Sequence, residues 1–313
     1  MDDPRLRGIW AAVVTPVDPQ GEIGIERYTR HARWLLRHGC HGLGVFGTTS
    51  ETQAFSVAER QRALEAFLAA GLPAERMILG IGCCARADTV ALARHALGLG
   101  VARMLMLPPF FYKNVPEEGL VRAYAEVIEA VADPRFELLF YHFPQVSGVP
   151  IPHAVIERLL VRYPSTIKGI KDSSGDLGHT LGLIRAFPGL AVFAGADQHL
   201  LDVLKAGGAG TFSAAANLNG AASRAVYDAF ERGDLAAAEA GMKKVAAVRE
   251  ALQRRPLIPA IKHVIADGRH DEIWRLVRPP LVELDPAEGE RLLAELEAAG
   301  FVYDPDLYAV AAA

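Results

Sequence analysis

The chain has 313 residues, 51% of them hydrophobic and 22% charged, with a formal net charge of −4. These values suit one large buried core and give no electrostatic case for nucleic acid or an anionic membrane surface. No run of 18 or more apolar residues occurs, which argues against a spanning helix, and the opening Met1-Asp2-Asp3-Pro4-Arg5 lacks the apolar core of a signal peptide, so the expected compartment is the cytoplasm.

Short apolar segments alternate with longer amphipathic ones. Strands are expected over residues 9–15, 42–46, 77–81, 103–107, 137–141, 166–171, 191–194 and 210–214. Helices are expected over 25–38, 57–70, 87–99, 117–131, 152–162, 178–187, 198–206 and 221–231. Several strands are continuous Val/Ile/Leu/Phe runs, the pattern of parallel strands buried on both faces. Eight strand–helix units over about 230 residues match an α/β fold of the (β/α)8 TIM-barrel kind. A doubly wound sheet competes, but no Gly-x-Gly-x-x-Gly follows the first strand, which ends Val14-Thr15-Pro16. From Gly233 onward the chain reads as helices over 235–251, 257–266 and 286–298, broken at Arg254-Arg255-Pro256 and Arg278-Pro279-Pro280. The expected division is a catalytic barrel over 1–232 and a helical subdomain over 233–313 packed on it, with residues 309–313 fraying.

Cys40, Cys83 and Cys84 fit neither a zinc spacing nor a disulfide framework and are expected as core or small lining residues. The ten histidines contain no His-x-x-x-His pair, so no metal is expected.

In such a barrel the chemistry lies at the carboxyl ends of the strands. Those ends carry Gly47-Thr48-Thr49-Ser50-Glu51, Tyr141-His142-Phe143-Pro144, Lys171, Gly195-Ala196-Asp197 and Phe212-Ser213. Side chains alternate along a strand, so Ile167, Gly169 and Lys171 share one face and Lys168 takes the other. Lys171 therefore points into whatever the strand encloses. An ammonium there is costly unless it is paired or loses its proton, and a neutral amine attacks carbonyl carbon. Gly47-Thr48-Thr49-Ser50 is open to two readings, an anion-binding nest or an ordinary helix cap. Tyr141 is either a proton carrier or a core tyrosine with a satisfied hydroxyl. Gly207-Gly208-Ala209-Gly210 precedes the eighth strand, at the wrong barrel face for catalysis, and reads as a helix C-cap and turn.

Gly47-Thr48-Thr49-Ser50-Glu51, Tyr141-His142-Phe143-Pro144 and Gly169-Ile170-Lys171-Asp172, in this order and spacing, resemble the dihydrodipicolinate synthase / N-acetylneuraminate lyase family of Schiff-base aldolases. The likeness spans essentially the whole chain. It implies a barrel assembled as a homotetramer of paired dimers, or as a homodimer. It also implies an imine between Lys171 and a 2-oxo acid, typically pyruvate, with Tyr141 as proton shuttle and Thr48 with Thr49 holding the carboxylate. No metal or organic cofactor is implied, because the covalent imine is the electron sink. Gly47, Ser50, His142, Ser173, Gly195, Asp197 and Phe212 complete the expected substrate-binding set.

The departures from the family pattern are informative. Lysine-pathway synthases carry an arginine five residues after the tyrosine, where this chain has Val146. Their asparagine is His142, their relay tyrosine from a neighbouring subunit aligns with Phe111, and the second glycine of their Gly-Thr-Thr-Gly-Glu is Ser50. Gln145-Val146-Ser147-Gly148-Val149 and Lys171-Asp172-Ser173-Ser174-Gly175-Asp176 look like the lyase branch. There Ser173 matches a hydroxyl position, and Gly195-Ala196-Asp197-Gln198 replaces one polyol-binding carboxylate by an amide. The resemblance therefore implies a carbon–carbon lyase that cleaves a short hydroxylated 2-oxo acid to a smaller 2-oxo acid and an aldehyde. His142, Gln145, Val146, Asp197, Gln198 and Ala214 are expected to shape specificity. The alternatives are 4-hydroxy-tetrahydrodipicolinate synthase proper, a 2-keto-3-deoxy sugar-acid dehydratase, a metal-dependent aldolase using His142, and a non-catalytic barrel that binds a 2-oxo acid.

Overall fold

The computed structural model describes residues 6–304; the tail at 309–313 lies outside the described residues. Eight parallel strands close into a barrel in sequence order, with β8 pairing back onto β1. The elements are β1 (Gly8–Ala12), α1 (Ile25–Arg37), β2 (Gly42–Val45), α2 (Val57–Ala69), β3 (Met77–Gly80), α3 (Arg86–Gly98), β4 (Arg103–Met106) and α4 (Glu117–Val131). They continue with β5 (Glu137–His142), α5 (Pro144–Ser147), α6 (His153–Arg162), β6 (Ile167–Asp172), α7 (Leu177–Ala186) and β7 (Ala191–Ala194). The barrel closes with α8 (Leu200–Lys205), β8 (Gly210–Ser213) and α9 (Ala216–Glu231). Three further helices, α10 (Leu235–Gln253), α11 (Leu257–Arg269) and α12 (Pro286–Ala298), form the extension.

Strand alternation sorts the side chains into two layers. Trp10, Ile78, Leu105, Leu139, Phe193 and Phe212 pack inside the barrel. Ile9, Leu43, Val45, Phe140, Ile170 and Val192 face outward against the helices. The longer helices supply matching stripes. In α4, Leu120, Tyr124, Val127, Ile128 and Val131 are buried at helical spacing. Full burial of one such aliphatic or aromatic side chain contributes about 1.5–3 kcal/mol. Inside the barrel Phe212 fits only because β2 has Gly44 opposite, where a Cβ would fall 2.1 Å from its ring.

The register between β5 and β6 slips once. Leu138 pairs with Ile167 and Leu139 with Gly169, so Lys168 is the extra residue of a bulge. Beyond it Tyr141 pairs with Lys171 and His142 with Asp172. Both strands run one residue past their expected ends, whereas β1 stops at Ala12 instead of residue 15. α9 begins at Ala216, five residues ahead of expectation. The Asn217 amide there donates to the carbonyls of Ala12 and Ala214, so a residue that usually breaks helices anchors this one. The expected helix at 198–206 divides into a 3-10 turn, Asp197–His199, and α8.

The extension shares a core with one barrel mouth. Val248, Leu252, Ile261, Ile265, Trp274 and Leu292 cluster with Val14, Ala214 and Ala215, which follow β1 and β8, and with Leu218 of α9. Among the described residues no helix is long and apolar enough to cross a membrane.

Candidate active site

The carboxyl mouth of the barrel holds a cavity of about 420 Å³. Thr48, Thr49, Tyr141, Lys171, Ser173 and Gly195 line its floor. Lys171 is 3% exposed. Its Nζ lies 4.3 Å from the ring centre of Phe212 and 4.5 Å from that of Tyr141. Among the described residues no carboxylate pairs with it. Burial, and then the positive charge of Arg249, lower its pKa to about 7. The amine is thus poised to lose its proton near neutrality.

Tyr141 neighbours Lys171 because the bulge sets that register. Its phenol is 3.3 Å from the Thr48 hydroxyl. Burial raises its pKa to about 12 against the opposing hydrogen bonds to Thr48 and Ser173, so the resting phenol is protonated.

Thr48 and Thr49 belong to a one-turn 3-10 helix, Thr48–Ser50, that follows β2. The turn is fixed from below and behind. Ser50 donates from Oγ to the Val13 carbonyl at 2.6 Å. Glu51, at φ 58 and ψ 31, takes a left-handed conformation uncommon for a residue with a side chain. Its carboxylate accepts from Lys262 Nζ at 2.7 Å and from the Arg278 backbone N–H at 2.7 Å. Lys262 also donates to the Thr15 carbonyl at 2.8 Å. The Lys262–Glu51 side chains are 0% and 1% exposed, so a buried ion pair ties this turn to α11.

The remaining expected residues divide. Ser173 and Gly195 do line the cavity, and they meet there: a Cβ on Gly195 would fall 2.2 Å from Ser173 Oγ. Phe212 lies beneath Lys171 as its floor. Gly47 supplies extended backbone at the head of the 3-10 turn, with open space where a Cβ would be. Three assignments need correction. The Ser50 hydroxyl is spent on Val13, away from the cavity. Asp197 is fully buried behind the wall, where Oδ2 accepts from Ser213 Oγ at 2.8 Å, and burial raises its pKa. His142 occupies the outer face of β5, as alternation from Tyr141 requires. Its Nδ1 accepts the Ile151 N–H at 3.1 Å, and its ring stacks on His179 at 4.5 Å. Burial lowers the His142 pKa to about 4.

This outer pocket brings together donors that sequence spacing does not show. His142, Asp172 and His179 offer ligand atoms within 4.8 Å of one another. The donor chemistry does not suit a metal. Asp172 Oδ2 already accepts from His179 Nδ1 and Thr180 Oγ1, and Oδ1 accepts from the Ser174 N–H. The bond from Ile151 puts the His142 proton on Nε2, which leaves that nitrogen no free lone pair. The cluster fastens the ends of β5 and β6 to α7.

Sequence reasoning passes over the far wall. Arg249 and Gln253, one helical turn apart on α10, line the cavity, followed by Pro256, Leu257, Ile258 and Pro259. Val146, Gln198 and Ala214 also line it, whereas Gln145, expected with them, does not and donates its amide to the Ser174 carbonyl. Gly207 and Gly208 lie at the other barrel mouth, where their N–H groups donate to Leu204 and Val203 and close α8. Of the cysteines, Cys40 is buried, Cys83 is half-buried and Cys84 is exposed, which removes Cys84 from the core.

Residues 5–299 match the model of the dihydrodipicolinate synthetase family. The chain is 37% identical over 294 residues to an uncharacterized DapA-like lyase of Chloroflexus aurantiacus, covering 93% of this chain and 96% of that one. It is 31% identical over 298 residues to the 4-hydroxy-tetrahydrodipicolinate synthase of Kineococcus radiotolerans, with coverage of 95% and 94%. Its structure is similar to that of dihydrodipicolinate synthase from Agrobacterium tumefaciens, with a TM-score of 0.83 at 29% identity over 93% of this chain and 99% of that one.

Proposed function

Because the chain belongs to the dihydrodipicolinate synthetase family of lyases, we propose that it forms a Schiff base on Lys171 and cleaves a carbon–carbon bond in a hydroxylated 2-oxo acid. The observation that carries this reading is the buried Lys171 amine, held near pKa 7 against two aromatic faces at the barrel mouth. An ordinary lysine leaves roughly one amine in 2,500 neutral at pH 7, and lowering the pKa to about 7 makes the neutral amine a major species.

The reaction follows from the arrangement. The Thr48–Thr49 turn holds the substrate carboxylate and sets the ketone carbon against Nζ. The amine adds to that carbon, and Tyr141 gives its proton to the oxygen that departs as water. The phenolate then faces a positive iminium, which offsets the burial cost of its charge. It takes the proton from the C4 hydroxyl as the C3–C4 bond breaks, and the bonding electrons pass into the iminium as an enamine. The aldehyde leaves, C3 is protonated, and water releases the smaller 2-oxo acid from Lys171. Reversal gives condensation. No outside cofactor is required in this scheme.

Val146 contributes no cation where the synthase arginine would stand, which favours the lyase over the lysine-pathway synthase. We further propose a cytoplasmic protein that assembles as a homotetramer or homodimer. The aromatic pair Phe111 and Tyr112, 73% and 74% exposed in the loop before α4, supports self-association. The test of the chemistry is borohydride reduction in the presence of pyruvate. Wild-type protein is expected to gain the mass of a reduced pyruvyl adduct on Lys171, and Lys171→Ala to gain none while remaining folded. An adduct on that variant would overturn the assignment.

A further inference from the structure

We infer that Arg249 is a second anion anchor in the cavity and that the preferred substrate is a 2-oxo acid whose far end carries another carboxylate. The inference rests on the Schiff-base reading above and names its substrate class. Arg249 projects from α10 into the cavity wall. Its Nε and Nη1 are shielded from solvent and have no hydrogen-bond partner. Among the described residues no carboxylate lies within ion-pairing distance of it. The nearby Asp197 feels its charge, but Asp197 is turned to Ser213. Gln198 shares the wall and also leaves its buried Oε1 unpartnered. A guanidinium with shielded, unspent N–H groups is costly alone and well suited to a planar carboxylate. The cavity therefore has two anion-binding ends. The Thr48–Thr49 turn beside Lys171 takes the first carboxylate, and Arg249 takes the second. Val146, Ala214, Leu257 and Ile258 give the cavity apolar wall, and Ser173, Gln198 and Gln253 are the uncharged polar groups beside it. Filling the Arg249 site also offsets its repulsion of the cationic imine on Lys171.

The experiment compares cleavage of 4-hydroxy-2-oxo diacids of graded length with their far-end primary amides and far-end phosphate monoesters. Wild-type protein is expected to favour a diacid over its amide by about 10- to 100-fold in kcat/KM, the scale of a charge-assisted hydrogen-bonded pair. Arg249→Met is expected to bring that ratio towards one, and Arg249→Lys to restore part of it. Loss of the ratio in Arg249→Met with an unchanged melting temperature supports the anchor. A ratio near one in wild type, or one that survives in Arg249→Met, overturns it. A preference for the phosphate ester over the diacid overturns the carboxylate assignment. If Arg249→Met does not fold, Arg249→Gln is read by the same ratio. Borohydride trapping of pyruvate on wild-type protein separates the two layers. An adduct without diacid preference defeats only this inference, whereas no adduct defeats the Schiff-base reading itself.

Discussion

Lys171 occupies a position that opposes its own charge, and the consequence for stability has a definite sign. Its folded-state pKa of about 7 lies below the ordinary value of 10.5. Between those values the unfolded chain binds more protons than the folded one, so stability rises with pH across that window, and the full penalty applies below it. The penalty is on the order of 4–5 kcal/mol at 1.36 kcal/mol per pH unit. Lys171→Met should therefore raise Tm at pH 6 and raise it progressively less towards pH 10; a gain independent of pH would contradict the shift. Tyr141→Phe removes the proposed proton carrier and keeps the ring beside the amine. It is expected to lower kcat by roughly 10²–10⁴-fold with little change in KM, as steady-state kinetics would show. At this scale parity rightly put Lys171 inside the barrel with Gly169, but the bulge at Lys168 turns Ile167, expected on that same face, outward among the helices. The same parity argument excludes His142 once Tyr141 is placed inside. Ser50 and Asp197 were misread because their hydrogen bonds go to Val13 and Ser213, partners that only the folded chain brings near. Arg249 was invisible because nothing in its helix connects it with a lysine 78 positions earlier.

Among the elements, the 3-10 turn after β2 depends most on a distant one. Lys262 on α11 holds Glu51, and Glu51 closes the turn that presents Thr48 and Thr49. Removing one member of a fully buried ion pair strands the other. Lys262→Met is therefore expected to cost about 3–5 kcal/mol in urea unfolding and to weaken pyruvate binding. Adding Glu51→Gln should recover much of the stability, and a double-mutant cycle with no coupling would refute the tie. The strand order, the number of barrel units and the three extension helices were legible because apolar runs and Pro-marked breaks are local signals. The start of α9 was not. Asn217-Leu218-Asn219-Gly220 has poor helix propensity, and its compensation comes from the backbone of β1. The β5–β6 bulge was equally silent, since it is a property of two strands together.

For the whole molecule, the division proposed between residues 232 and 233 falls in the turn between α9 and α10, where Gly233 has φ 78. The core shared across that turn means the extension completes the barrel mouth. Exposed Phe111 and Tyr112 lie on the loop that follows β4. Sedimentation equilibrium is expected to show a dimer or tetramer, and Phe111→Asp with Tyr112→Asp to shift it towards monomer; a wild-type monomer would remove the assembly proposal. The amine and phenol proposed to react stand on strands, whereas the opposite wall belongs to α10 and α11. Inheritance can therefore act on the two separately. Substitutions along residues 249–258 would diversify the diet of this enzyme while its electron sink stays intact, and a deep mutational scan on two different acids should yield maps that agree across β5 and β6 and diverge along that stretch.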